Sequence, residues 1–271
     1  MLEFLRQFAG RFPVASGLFR EVRDAVASRR APALPTPFGF KLAGSPLMAA
    51  GAFEPEETRI LQRELKAAEL FVDVGANVGF YSCLASSLRV PVLAFEPLPQ
   101  NLTLLLRNLR ENGFTGVEVL PVGMGERPGV LTLHGGGTGA SLLAGWAHAP
   151  AGWERDIAVS TLDRMVLPRA RGLRTIVKLD IEGAELPALR GAAGLLALDP
   201  APVWLVEVNL GEHHPLGRNP DYVALFELFF SAGYRAFVAD ASEEELDRGA
   251  VTRRAAVGGT PAHNYLFRKI A

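Results

Sequence analysis

The chain has one cysteine, Cys83, among 271 residues, which excludes an intramolecular disulfide and any zinc site built from several cysteines. Cys83 falls on an expected helix and reads as a small core residue. Charge of one sign is also missing: 28 basic against 29 acidic side chains leave a formal net charge of -1, no electrostatic footprint for nucleic acid. Apolar runs stay short of the roughly 18–20 residues that span a bilayer, so no transmembrane segment is expected. The start, Met1-Leu2-Glu3, places no basic segment ahead of an apolar block, so no secretory leader is expected. These absences favour a soluble cytoplasmic protein. The phosphate loop G-x-x-x-x-G-K-[ST] is missing too, and no internal repeat is visible. Hydrophobic residues, 49% of the chain, suffice for one large α/β domain or a domain with a small appendage.

What is there is Phe71-Val-Asp-Val-Gly-Ala-Asn-Val-Gly-Phe80, a buried strand running into a Gly-x-x-x-Gly turn and then a helix. Twenty-three residues after Asp73, the apolar run Val90–Phe95 ends in Glu96. Strands ending at a glycine turn and at an acid suit a nucleoside, since the glycines admit a ligand to the backbone and the carboxylate matches a ribose diol. A dinucleotide fingerprint has a middle glycine that makes room for pyrophosphate; Asn77 stands there instead. The turn therefore suits a nucleoside that brings it no phosphate, and S-adenosylmethionine (SAM) fits. A strand-to-helix turn with no ligand is the plain alternative.

Residues 1–30 hold six arginines against three acids, with apolar residues at helical spacing on either side of Pro13. Two amphipathic helices are expected there, packed on the main domain or on a second subunit, with weak docking on a membrane surface as the alternative, so a homodimer through them is one expectation. Five prolines in residues 31–55 predict an irregular linker. Residues 1–50 are thus read as a helical extension and linker, and 51–271 as the main domain. Pro55 opens an expected helix to about Leu65. Strands are predicted at about 70–74, 91–96, 117–122, 175–180, 203–208, 234–238 and 265–268, with helices after 78, through Leu102–Leu109, through Leu186–Leu196, and after Asn219-Pro220. This alternation implies an α/β fold with a mainly parallel sheet and helices on both faces. The insert 123–173 carries an expected hairpin at Gly129–His134, a glycine-rich loop at Gly135–Gly139 and an apolar-polar run at Ile157–Leu162.

The sequence resembles the FkbM family of SAM-dependent methyltransferases in four segments: Gly51-Ala-Phe-Glu-Pro55, Val72–Ser82, Ala94-Phe-Glu-Pro97, and Val177-Lys-Leu-Asp-Ile-Glu-Gly-Ala-Glu185 preceded by Ser160-Thr-Leu-Asp163. The resemblance spans about residues 50–270. It implies a class I, Rossmann-like methyltransferase fold with a seven-stranded sheet whose last strand is antiparallel. It also implies methyl transfer, usually to a hydroxyl on a sugar, glycan or secondary metabolite. The segment Pro121-Val-Gly-Met124 departs from the family's usual alanine-containing stretch.

The expected cofactor residues are Asp73, Gly75, Asn77, Gly79, Glu96, Pro97 and Asp180. Asp73 either meets the SAM ammonium or fixes the turn, and Asn77 either orients the methionine tail or caps the helix. Asp180, at a strand end, faces the sulfonium or the acceptor. Alternation places Lys178 on its face of the strand, so the two pair. A paired carboxylate is a poor base, which favours orientation over proton transfer. Glu185 reads as a first-turn helix acid. His213 or its neighbour His214 is a second base candidate, the alternative being solvated loop histidines. Glu182, Glu207 and Ser141 are expected to line the acceptor site, with Thr138 and Ser141 on a lid or an ordinary surface loop. A divalent ion on Asp180, Glu182 and Glu207 has no compact ligand motif behind it, and no metal is expected.

The leading expectation is an O-methyltransferase acting on a small molecule or glycan. A SAM-binding scaffold without catalysis is the alternative from another class. A dinucleotide oxidoreductase is disfavoured by Asn77, and nucleic-acid methylation by the charge balance.

Overall fold

A computed structural model describes residues 31–148, 153–211, 213–258 and 263–270. The amphipathic segments expected in residues 1–30, and any dimer through them, lie outside the described residues. From residue 31 the expected irregular linker is instead a two-stranded ribbon, β1 (Leu34–Pro35) and β2 (Lys41–Leu42), followed by a short helix α1 (Pro46–Ala49). Proline is tolerated in β1 because the strand is an edge with no ladder N–H to supply. Asn108 clamps the ribbon from afar, its amide donating to the Ala43 carbonyl at 3.0 Å while the Ala43 N–H donates to its oxygen at 2.8 Å. Phe40, Leu42 and Met48 are buried in the same cluster as Ile60, Phe71 and Phe80.

Helix α2 (Pro55–Leu65) begins at Pro55, whose missing N–H costs nothing in the first turn, and buries Ile60, Leu61 and Leu65. Strand β3 (Leu70–Val74) leads through the glycine turn into α3 (Phe80–Ser87), and β4 (Val92–Phe95) leads into α4 (Pro99–Glu111). Cys83 on α3 is wholly buried, and burial pushes its thiol up to about 12, so it is a core residue. Strand β5 (Val117–Leu120) is shorter than predicted.

The insert then forms its own three-stranded sheet from β6 (Gly123–Met124), β7 (Gly129–His134) and β8 (Glu154–Ser160). The expected hairpin within 129–134 is one strand, β7, paired antiparallel with β8. Its apolar side, Leu133, Ile157 and Val159, packs on Leu98 at the start of α4.

Beyond two short helices, α5 (Leu162–Met165) and α6 (Leu167–Ala170), the chain re-enters the main sheet as β9 (Thr175–Leu179). It continues through α7 (Glu185–Arg190), α8 (Ala193–Leu196), β10 (Val203–Glu207), α9 (Tyr222–Ser231), β11 (Arg235–Val238), β12 (Glu245–Leu246), α10 (Arg248–Val257) and β13 (Asn264–Arg268). The order across the sheet is β12-β11-β13-β10-β9-β3-β4-β5. Strands β5, β4, β3, β9 and β10 are parallel, and β13 runs antiparallel between β10 and β11. This is the expected seven-stranded sheet with its reversed last strand, extended by the two-residue edge β12. Strands β3 and β9 are buried at every position, as the centre of a sheet covered on both faces requires. On one face Phe226 lies 4.8 Å from the Tyr265 ring and Phe229 stacks on Phe267 at 3.8 Å. Burying each such ring contributes about 1.5–3 kcal/mol. Among the described residues no helix is long and apolar enough to cross a membrane.

Candidate active site

The chain's order across the parallel sheet reverses at β3, from β3-β4-β5 on one side to β9-β10 on the other, which leaves a crevice at the strands' carboxyl ends, where ligands bind in such sheets. A cavity of about 290 Å³ opens there. The turn after β3 approaches β9 so closely that a Cβ on Gly75 would lie 1.8 Å from the Asp180 carbonyl oxygen, and Gly75 has φ +88°. Gly79, at φ +87°, starts α3, and a Cβ there would meet Leu105 at 2.3 Å. Both glycines are thus demanded by the protein's own packing. Gly75 also lines the cavity; Gly79 does not.

Asn77 adopts φ +51° and lines the cavity. Its backbone N–H donates to Glu96 Oε2 at 2.8 Å, and the Leu98 N–H donates to Glu96 Oε1 at 2.8 Å. With Asn101 also donating to it, Glu96 keeps one of its lone-pair sites for a ligand hydroxyl. Burial pushes Glu96 up to about 7, against the opposing pull of those two N–H groups and Asn101. Pro97 lines the cavity beside it, as do Leu98, Val122, Met124, Leu133 and Ile157, so this end is apolar around one carboxyl. Val122, Gly123 and Met124 reach the cavity from the segment that departs from the family pattern.

The other end is acidic. Lys178 and Asp180 pair as alternation predicts, Nζ to Oδ2 at 2.6 Å, with Lys178 only 3% exposed. The ammonium also sits over the Tyr81 ring, 4.8 Å from its centroid. Burial pushes Asp180 up, but the Lys178 ammonium and hydrogen bonds from Glu207 and Lys178 outweigh it and hold the carboxyl below its ordinary value. Glu207 moves the opposite way, raised well above the ordinary range by burial and by the Asp180 charge, so it donates its proton to Asp180. Glu182, at φ +56°, accepts from the Trp146 indole N–H at 2.7 Å, and burial pushes it up to about 7. Asp180, Glu182 and Glu207 each offer an oxygen within 4.8 Å of one another; Lys178 supplies a positive charge at that cluster.

Glu54 completes this end, and sequence reasoning missed its role. It stands at φ +41° ahead of α2, which turns its side chain into the cavity, where it accepts from the Tyr81 hydroxyl at 2.6 Å. Burial raises its carboxyl against the pull of Lys178. The signal was the acid immediately before a helix-opening proline, in a segment singled out only for its family likeness.

Four expected residues, Asp73, Gly79, Ser141 and His213, do not line the cavity. Asp73 is buried below it, accepting from the Ser82 hydroxyl at 2.6 Å, with its carboxyl pushed by burial up to about 6. These bonds tie β3 to α3 and do not involve the N–H groups of the glycine turn. Ser141 is fully buried; its hydroxyl donates to the Glu182 carbonyl and accepts from the Leu143 N–H at 2.9 Å. It ties the insert to the turn after β9. His213 is exposed, its ring edge-on to Trp146 at 6.0 Å. The insert does cover the cavity, through Gly137, Ala140 and Leu142, with Asn101 donating to the Gly137 carbonyl at 3.2 Å. The Thr138 side chain lies outside what is described. Glu185 accepts from the Ile181 and Gly183 N–H groups at 3.1 and 3.0 Å, holding the turn behind Asp180.

Strand order, the reversed last strand and a cavity at the carboxyl edge define the class I methyltransferase fold. A family model described as the methyltransferase FkbM domain matches residues 73–236. The chain belongs to the FkbM methyltransferase family. It is 27% identical over 160 residues to the hexuronic acid methyltransferase AglP of Haloferax volcanii, a match covering 58% of this chain and 63% of that protein. The chain thus spans less than two thirds of that relative's length. Similar solved structures include methyltransferase FkbM from Methylobacillus flagellatus KT, 18% identical with a TM-score of 0.47, covering 92% of this chain and 58% of that one. Another is a precorrin-6y C5,15-methyltransferase from Geobacter metallireducens GS-15, 12% identical with a TM-score of 0.45, covering 87% and 100%.

Proposed function

We propose that this protein transfers a methyl group from SAM to a hydroxyl of a sugar, glycan or secondary metabolite. The observation that carries the reading is one continuous cavity with Glu96 at an apolar end and the Lys178–Asp180–Glu207 group at an acidic end. The lining fits SAM: Glu96 retains an acceptor site for a ribose hydroxyl, apolar side chains flank it, and carboxyls face where cationic groups would lie. Family membership and the relative's named action on a hexuronic acid support methylation of a carbohydrate.

When bound, SAM supplies an electrophilic methyl group on a good leaving group. The chain's own task is then alignment, which can supply about 7–11 kcal/mol of barrier reduction. Lys178 keeps Asp180 ionised, so Asp180 orients the acceptor hydroxyl and does not remove its proton. Glu182, at about 7, has a proton affinity suited to general-base work near neutral pH. Glu207, neutral, donates to Asp180 and fixes its rotamer. His213 lies off the cavity and has no part in this reading.

Calorimetric titration with SAM and S-adenosylhomocysteine (SAH), followed by turnover on hydroxylated acceptors, tests it. Glu96→Ala should mainly weaken SAM binding, and Asp180→Asn should mainly lower kcat. Equal losses of SAM affinity in both variants would contradict the roles assigned.

A further inference from the structure

We propose that the acceptor is a neutral or ammonium-bearing sugar, and that the acidic end of the cavity rejects acceptors carrying a carboxylate or phosphate beside the methylated hydroxyl. The inference rests on the methyl-transfer reading and narrows its substrate class. Glu54, Asp180, Glu182 and Glu207 line this end together, and Lys178 is the sole basic side chain among the described residues lining the cavity. That ammonium is committed: 2.6 Å from Asp180, over the Tyr81 ring, and almost wholly buried. The indole N–H of Trp146 is committed as well, to Glu182. Among the described residues lining the cavity an anionic acceptor would find no free cation, whereas recognition of a carboxylate or phosphate calls for a charge-assisted donor, typically a forked arginine.

With Glu54 and Glu182 ionised, the charge balance stays negative after SAM is counted. One proton is shared between Glu207 and Asp180, and Lys178 offsets one charge, which leaves net negative charge when the other carboxyls ionise. SAM brings one ammonium, one sulfonium and one carboxylate, a single net positive charge. Like charges brought together across a desolvated site are strongly unfavourable.

A second feature speaks for a sugar in particular. Phe53, Phe80 and Tyr81 line the cavity beside these carboxyls, with the Phe53 and Tyr81 rings 6.3 Å apart at 51°. Aromatic surface next to carboxyl oxygens matches a pyranose, which has apolar C–H faces and a rim of hydroxyls that both donate and accept.

The test uses the full chain loaded with SAH, whose binding is first measured by calorimetry. Saturation-transfer NMR titrations then compare methyl α-glucoside, its 2-amino-2-deoxy analogue and methyl α-glucuronide. The expected result is binding of the first two, with the glucuronide weaker by at least about tenfold. Glu182→Gln and Glu54→Gln, each checked for folding by circular dichroism, should narrow that gap. A glucuronide that binds as well as the glucoside overturns the proposal, as does an unchanged gap in both variants. Silence from all three sugars on SAH-loaded protein overturns the sugar class alone. Absence of SAH binding defeats the methyl-transfer reading itself, and this proposal with it.

Discussion

Glu96 and Asp180 are carboxyls at opposite ends of one cavity, and they shift in opposite directions. Glu96 is pushed up to about 7, whereas Asp180 is held below its ordinary value. Both are desolvated; the difference lies in what compensates. Glu96 has two backbone N–H groups and the Asn101 amide, neutral dipoles that fix its orientation without cancelling its charge. Asp180 has a full ammonium 2.6 Å away and a neutral carboxyl donating to it. Carboxyls held by neutral dipoles stay sensitive to protons and ligands, while ion-paired ones become fixed charges. In the proposed function, recognition falls to the first kind of end and alignment to the second.

The largest way to break this comparison is to separate the ends from their common hinge. Gly75→Ala puts a methyl into the Asp180 carbonyl at a positive φ, so it should cost more than about 4 kcal/mol in urea unfolding, or leave no folded protein. Next comes Lys178→Met, which strips Asp180 and Glu54 of their cation. Leaving a buried charge unpaired costs about 3–5 kcal/mol. Asp180, depressed in the native fold, contributes stability above its unfolded pKa that is lost as pH falls through the folded value; the variant should lose that contribution, measured as a flatter acid limb of the Tm–pH curve.

A gentler perturbation is pH at the other end. Glu96, raised from 4.5 to about 7, binds more protons folded than unfolded across that interval. Its contribution to stability is therefore full below about pH 4.5 and is lost as pH rises through about 7. SAM, taken by the ionised carboxylate, should bind more weakly as pH falls below about 7, and Glu96→Gln should remove that dependence in calorimetry. Asp73, Glu182 and Glu185, at about 6, 7 and 8, add to the stability trend with the same sign. The smallest effect belongs to His213→Ala, which touches neither end. Turnover should change by less than about twofold, since surface substitutions away from such features stay within ±0.5 kcal/mol.

Much of this was legible in the residues. The strand at 70–74, the helix opened by Pro55, the pairing of Lys178 with Asp180 and the placement of Glu96 follow from local period, caps and alternation. What escaped depends on distant partners. The ribbon at residues 34–42 is held by Asn108 from another helix, and β7 finds its partner some 20 residues on, so neither leaves a local signature. Helix α10 buries only Val251 and Ala255 and so shows no apolar stripe to read. Glu54 owes its place to a left-handed residue before a proline, and Ser141 and His213 were assigned by the loops they sit on, whose paths period-based reasoning does not give.

Trp146 has a consequence of another kind. Its indole donates to Glu182, its ring fills the space above Gly183, and both His213 and His214 meet it edge-on at about 6 Å. It is one of three tryptophans in the chain, and Trp204 is buried away from the cavity against Phe229. The protein thus carries a built-in optical reporter: Trp146 emission should register the charge state of Glu182 and the arrival of a ligand beside it, in the unlabelled chain and without any product having to form.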